Sequence, residues 1–371
     1  VGATDSQTFD YTIPETPVTN LTVPRAARRV IGAFALALAC VPAMRADDTL
    51  MMTAEADAFL RSMPVGLQAR QESAVRQAIG GDVSALEAVR SSRNSLPDIP
   101  EGVRTQDIGE EYRLYTPAAS ACDGRALPVL IYLHGGGWCF GSINSCAAFC
   151  AALVERSGMA VLAVDYPLAP EHPFPAALNA VTKAIAVVAA RASELGIDPG
   201  AISLGGDSAG GNLALAAALN LVYAREMAAA DALPRLKSLV LFYPVVKVWA
   251  DGSDSWRAYG NGYGLDSGIM EAFNEAYLIG VADARMPLVS PFEAAPSHLK
   301  ALPPVLMINA GRDILRDQGE AMCRKLAEAG VDVNHKVFEG ATHLFITVGG
   351  QPTAFARAVD AASDFLMRAG R

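Results

Sequence analysis

The sequence predicts an α/β chain with a mostly parallel central sheet, helices on both of its faces and a helical cap. Three observations lead there. After Pro100, short and continuously apolar runs alternate with helix-length runs, and strands that read as unbroken apolar runs belong to sheets covered on both sides. Glycines cluster where two of these runs end, at Gly135-Gly136-Gly137 and Gly205-Gly206. A segment over 247–290, rich in Gly, Tyr, Trp and Asp, is long for a plain connection inside a compact domain.

Taken in order, residues 1–46 form an extension. Arg25, Arg28 and Arg29 precede an apolar run over 30–44 that closes on Val41-Pro42-Ala43, the make-up of a secretory signal peptide and short for a membrane span. If residues 25–46 serve as such a signal, with translation starting near Val23, the protein is secreted or periplasmic. The alternative, a buried N-terminal helix, leaves it cytoplasmic. Residues 47–100 carry Phe59, Leu60, Met63, Leu67, Val75, Ile79, Leu86 and Val89 at helical spacing, which predicts two amphipathic cap helices broken at Gly80-Gly81. Pro97 and Pro100 mark a linker. The core is expected over 101–246 and 291–371, with 247–290 as the second part of the cap. Its strands are expected over 128–133, 160–165, 201–205, 236–242, 305–310 and 333–338, and its helices over 176–195, 208–223, 318–330 and 352–367.

At 371 residues and 51% apolar, the chain can bury a large core. A net charge of -9 with scattered Lys and Arg argues against nucleic acid as the main partner and suits a small neutral or apolar molecule. The six cysteines, Cys40, Cys122, Cys139, Cys146, Cys150 and Cys323, are spaced too irregularly for a zinc ribbon or a CxxC redox site. No metal is expected, and Cys146 and Cys150 are expected as buried free thiols.

The chemistry concentrates at strand ends, where sheets of this kind carry their sites. The hexapeptide Gly206-Asp207-Ser208-Ala209-Gly210-Gly211 lies between an apolar strand and an apolar helix, the setting of a nucleophile elbow. Glycines two residues to each side of Ser208 leave room where a side chain would strike the neighbouring strand and helix. The turn also sets the Ser208 hydroxyl at the positive end of a helix. Alone, such a motif is weak. Upstream, His134-Gly135-Gly136-Gly137-Trp138 follows another strand, and the amides of Gly136 and Gly137, together with that of Ala209, can receive an oxyanion at about 3 kcal/mol per donor. His134 itself reads as a loop-fixing residue. Of the five histidines, His343 leaves the last strand in a loop and is the candidate base, whereas His335 lies within that strand and His172 and His298 occupy proline-rich turns. Asp313, just past strand 305–310, is the candidate carboxylate for that imidazole, and Asp317 reads as a first-turn helix charge. Trp138, Phe140, Trp249, Trp256, Tyr259 and Tyr263 are candidates to line an apolar pocket beneath the cap.

With these motifs in place, the chain resembles the bacterial hormone-sensitive-lipase family of esterases, in the subgroup with Asp in the elbow. The resemblance rests on His134-Gly135-Gly136-Gly137, on Asp165-Tyr166-Pro167-Leu168-Ala169-Pro170-Glu171 with Phe174-Pro175-Ala176-Ala177, on the elbow hexapeptide, and on Ser290-Pro291, Asp313-Ile314-Leu315-Arg316-Asp317 and the His343 loop. It implies the α/β-hydrolase fold, a cap built from the N-terminal segment and the insert, no cofactor, and hydrolysis of short- to medium-chain acyl or aryl esters. Lys247-Val248-Trp249 departs from it, since many relatives carry an Asp soon after the Tyr-Pro pair. The expected partner is a small-molecule ester, with no nucleic acid and no stable membrane span, and a homodimer is compatible. Amide or peptide hydrolysis with the same three residues, and ligand binding on a non-catalytic hydrolase scaffold, stay open as alternatives.

Overall fold

A computed structural model describes residues 46–119, 126–228 and 233–369. The signal-like segment, Cys40 and Cys122 lie outside them. Three helices come first: α1 (Ala46–Ser62), α2 (Leu67–Ile79) and α3 (Ser84–Ser92). The expected break at Gly80-Gly81 is present. A second break, which the helical spacing ran straight across, falls at Met63-Pro64-Val65-Gly66. Pro64 has no amide to donate, and Gly66 takes a left-handed φ of 70° just ahead of α2.

An eight-stranded sheet follows, in the order β1-β2-β4-β3-β5-β6-β7-β8. Its strands are β1 (Val103–Ile108), β2 (Tyr112–Pro117), β3 (Leu127–Leu133), β4 (Ala160–Val164), β5 (Ile197–Asp207), β6 (Leu236–Phe242), β7 (Val305–Arg312) and β8 (Val333–Thr342). Strands β1 and β2 pair antiparallel, as do β2 and β4, and every remaining neighbour pair is parallel. The antiparallel hairpin was not foreseen. β1, Val-Arg-Thr-Gln-Asp-Ile, sits at the sheet edge with four consecutive exposed residues, so neither an apolar run nor alternation marks it.

The connecting helices are α4 (Ala147–Ser157), α5 (Ala176–Ala190), α6 (Ala209–Ala228), α7 (Asp254–Tyr259), α8 (Ser267–Tyr277), α9 (Pro296–Leu299), α10 (Arg316–Glu328) and α11 (Pro352–Ala369). α4 escaped the sequence reading because it is apolar on most sides, with Phe149, Cys150, Leu153 and Val154 all buried. Cys146 and Cys150 are buried free thiols, as expected. Strand residues alternate between two cores. Val129, Ile131 and Leu133 join one with α5, α6 and α10, while Leu130 and Tyr132 join the other with α4 and α11. Burying both faces this way contributes about 25 cal/mol per Å² of apolar surface.

The helices expected together as a cap divide by contact. α1 packs on β8 and α11, whereas α2 packs on α3 and on α8 of the 247–290 insert. Two buried side chains pin that insert at its ends: Gln318 Oε1 accepts from the amides of Val246 and Lys247 at 2.8 and 2.9 Å, and Ser290 Oγ accepts from the Val248 amide at 2.9 Å. Among the described residues, no helix is long and apolar enough to cross a membrane.

Candidate active site

Ser208, Asp313 and His343 each stand one residue past the carboxyl end of a parallel strand, β5, β7 and β8 respectively. The sheet thereby brings together three residues far apart in the chain. Ser208 has a left-handed φ of 54°, a strained conformation for a non-glycine residue. The surroundings hold it there. Its amide donates to Phe242 O at 2.9 Å, and its carbonyl accepts from the amides of Asn212 and Val245 at 3.1 and 3.2 Å. The flanking glycines leave the space the turn requires, since a Cβ on Gly210 would lie 2.0 Å from Leu133 O.

The Ser208 hydroxyl lies 3.0 Å from His343 Nε2, and His343 Nδ1 lies 2.6 Å from Asp313 Oδ2. A carboxylate against Nδ1 assigns the proton there and leaves Nε2 as the acceptor for the hydroxyl. All three side chains are buried. The second Asp313 oxygen accepts from the Leu315 amide at 3.0 Å. Gln351, which no motif singled out, braces the histidine loop by donating to His343 O at 3.2 Å and accepting from Thr342 N at 2.9 Å. Tyr243 packs its ring 4.4 Å from the imidazole and accepts at its hydroxyl from Ile346 N. Asp317 lies elsewhere, in the first turn of α10, where it accepts from Ser255 N at 2.8 Å and pairs with Arg316.

The glycine loop after β3 faces Ser208 across a narrow cavity of about 30 Å³ whose wall includes Gly136, Gly137, Ser208 and His343. Gly137 has φ 60°, and a Cβ there would penetrate the Phe273 ring at 2.2 Å. Only a glycine fits under that ring. Among the described residues, the amides of Gly136, Gly137 and Ala209 have no hydrogen-bond partner, so all three are free to donate.

Asp207, the elbow residue before the serine, ties the two loops together. Its Oδ1 accepts from the Tyr132 hydroxyl and from the Gly135 amide, both at 3.0 Å. Burial raises its carboxyl to about 6, against the lowering effect of the Tyr132 hydrogen bond and of the nearby His343 charge. His134 behaves as the loop-fixing residue the sequence suggested. Its Nδ1 lies 2.9 Å from Gly135 O, its ring stacks on Tyr166 at 4.2 Å, and burial lowers its pKa to about 4, so it is neutral near pH 7.

The six aromatic candidates for the pocket fare differently. Phe140 lines the cavity; Trp138, Trp249, Trp256, Tyr259 and Tyr263 are not in its wall. Their rings are spent elsewhere. Trp138 stacks on Tyr277 at 4.2 Å, Trp249 lies under Arg285 at 4.4 Å, Tyr259 meets Tyr263 at 4.9 Å, and Trp256 packs against the core. The wall is made instead by Gln68, Gln71 and Arg93 from the N-terminal helices, by Leu265, Ile269 and Phe273 from the insert, and by Leu344. The Ile269 and Phe273 pair at i, i+4 on one face of α8 was the signal available in the sequence.

A family model described as alpha/beta hydrolase fold matches residues 130–347. The chain belongs to that family. The match spans every candidate from Gly136 to His343, and it agrees with the esterase resemblance drawn from the motifs. Among curated relatives of this α/β-hydrolase, an ethyl acetate hydrolase of Pseudomonas putida is 39% identical over 239 residues, 64% of this chain and 71% of that one. An AB hydrolase superfamily protein of Schizosaccharomyces pombe is 35% identical over 248 residues, 66% of this chain and 71% of that one. Among solved structures, a thermostable esterase from Pseudomonas putida is similar at a TM-score of 0.68 and 28% identity, covering 86% of this hydrolase and 95% of that chain.

Proposed function

We propose that the chain hydrolyses carboxyl esters through an acyl-enzyme on Ser208. One observation carries the reading: a buried relay of 3.0 and 2.6 Å from hydroxyl through imidazole to carboxylate, beside three undonated amides. As the Ser208 Oγ attacks the ester carbonyl carbon, His343 Nε2 takes its proton, and Asp313 stabilises the resulting imidazolium. The carbonyl oxygen becomes an anion facing the amides of Gly136, Gly137 and Ala209. Collapse of this intermediate returns the proton to the departing alkoxide and leaves an ester on Ser208. Water, deprotonated by the same imidazole, then releases the acid.

The cavity supports the substrate class. Its wall of Phe140, Leu265, Ile269, Phe273 and Leu344 offers apolar surface to the acyl or aryl part of an ester, and one of the relatives carries the name ethyl acetate hydrolase. We assign α2, α3 and residues 247–290 as the cap over the site. Ser208→Ala is expected to lower kcat on p-nitrophenyl butyrate by about 10⁴-fold or more. Turnover within tenfold of the parent, or failure of a fluorophosphonate probe to label Ser208 in the parent chain, would refute the assignment.

A further inference from the structure

Arg93 follows the end of α3 and lines the same cavity as Ser208. Among the described residues its guanidinium has no carboxylate and no hydrogen-bond acceptor; its Cζ rests 5.4 Å from the centre of the Phe140 ring. Arg90, one turn earlier, shows what a satisfied arginine looks like here. It holds Glu171 with two bonds of 2.6 and 2.9 Å and also donates to the carbonyls of Cys139 and Ala169. A second polar side chain adjoins the first. Gln71, 4% exposed, lines the same cavity, and its side-chain amide is not engaged by any hydrogen bond among the described residues, which leaves it open to the cavity.

The rest of the wall supplies no counter-charge. Phe140, Leu265, Ile269, Phe273 and Leu344 are apolar, and the carboxylate of Asp313 is taken by His343 and the Leu315 amide. Arg93 is partly buried, so its guanidinium keeps a charge that no anion of the wall neutralises. Its planar fork matches a carboxylate through two parallel bonds. A carboxylate on the substrate would satisfy Arg93, and an amide hydrogen bond from Gln71 would complete its coordination. Both residues also lie outside the segment 130–347 that matches the family model, so the shared core does not dictate them.

Resting on the esterase reading of Ser208, we propose that the preferred substrates are esters that also bear a free carboxylate, such as monoesters of short dicarboxylic acids. Arg93 and Gln71 seat the carboxylate while the ester carbonyl lies at Ser208. Hydrolysis breaks the acyl carbon to alkoxy oxygen bond. The alcohol leaves with the proton that His343 took from Ser208; water then supplies the new carboxyl oxygen and, through His343, the proton that restores the Ser208 hydroxyl, leaving a dicarboxylate and a free alcohol. With a net charge of -9 the chain as a whole does not draw anions from a distance. The preference is therefore local and acts through KM.

The test pairs ethyl hydrogen succinate, glutarate and adipate each with the ethyl ester of its terminal carboxamide, which has the same shape without the charge. In the parent chain the best monoacid should exceed its carboxamide in kcat/KM by at least about tenfold, mostly in KM. Arg93→Met should bring that ratio to one or below, and Arg93→Lys should keep it above one. Rising salt should shrink it in the parent, a readout that holds even where Arg93→Met fails to fold. A parent ratio at or below one for all three acids overturns the proposal, as does a ratio unchanged by Arg93→Met. Turnover of p-nitrophenyl butyrate without that preference overturns this proposal alone, whereas absence of turnover on every ester overturns the esterase reading as well.

Discussion

Two regions meet at the cavity and are held in different ways. Ser208, Asp313 and His343 are each fixed one residue past a strand of a single sheet, with backbone bonds and neighbours such as Gln351 and Tyr243 setting their positions. The facing wall comes from α2, the end of α3 and α8, where α2 packs on each of the other two rather than sharing a ladder. The first arrangement fixes distances, and the second fixes only which surfaces meet. Substitutions in the relay should therefore appear in kcat, and substitutions in the wall in KM and in the choice of ester.

The largest expected effect tests the relay. Asp313→Asn preserves shape but favours the wrong imidazole tautomer, and kcat should fall by about 10⁴-fold with KM little changed. If steady-state kinetics show less than a tenfold fall, the Asp313 carboxylate is not what orients His343 and the relay assignment fails.

The next effect concerns the buried pair behind the two loops, which should register in stability rather than selectivity. Folding raises Asp207 from 3.8 to about 6, so it is accommodated best when protonated; that contribution is complete below pH 3.8 and is lost as pH rises through 6. His134 runs the other way. Lowered from 6.5 to about 4, it contributes fully above pH 6.5, and the contribution is lost as pH falls through 4. Each amounts to about 3 kcal/mol, so the two nearly cancel in the parent. Between pH 6.5 and 4, Asp207→Asn should lose about 3 kcal/mol more than the parent on acidification, and His134→Gln should gain by a similar margin. Urea unfolding at several pH values measures both, and parallel curves for parent and variants would contradict the assignment.

The smallest effect tests the wall. Phe273→Ala removes the ring that covers Gly137 and meets Phe140 edge-on at 5.1 Å. KM for p-nitrophenyl acetate should rise about three- to tenfold, and longer acyl chains should gain relative to it. A fall in kcat as large as that of Asp313→Asn would show that Phe273 belongs with the relay.

The same division explains what the sequence disclosed. The strand ends were legible because apolar runs stop abruptly, and because a tight approach such as Gly210 against Leu133 O permits nothing larger than glycine. Asp313 and His343 follow directly from knowing where β7 and β8 end. The cavity wall was not legible in that way. Helical spacing shows that α2 has an apolar face, but not that Gln71 on that face looks into the site. Counting aromatics selected Trp249, Tyr259 and Tyr263, whose rings serve as platforms for Arg285, Arg316 and Arg312. β1 was hidden because a polar edge strand resembles a loop.

The order of the strands along the chain has a further outcome during synthesis. Ser208 precedes His343 by 135 residues, and the histidine arrives only with the end of β8. On the proposed assignment, a growing chain thus carries its nucleophile long before it carries a base. On that assignment, the serine remains an ordinary alcohol until β8 has docked beside β7, and reactivity arrives with the sheet's last strand.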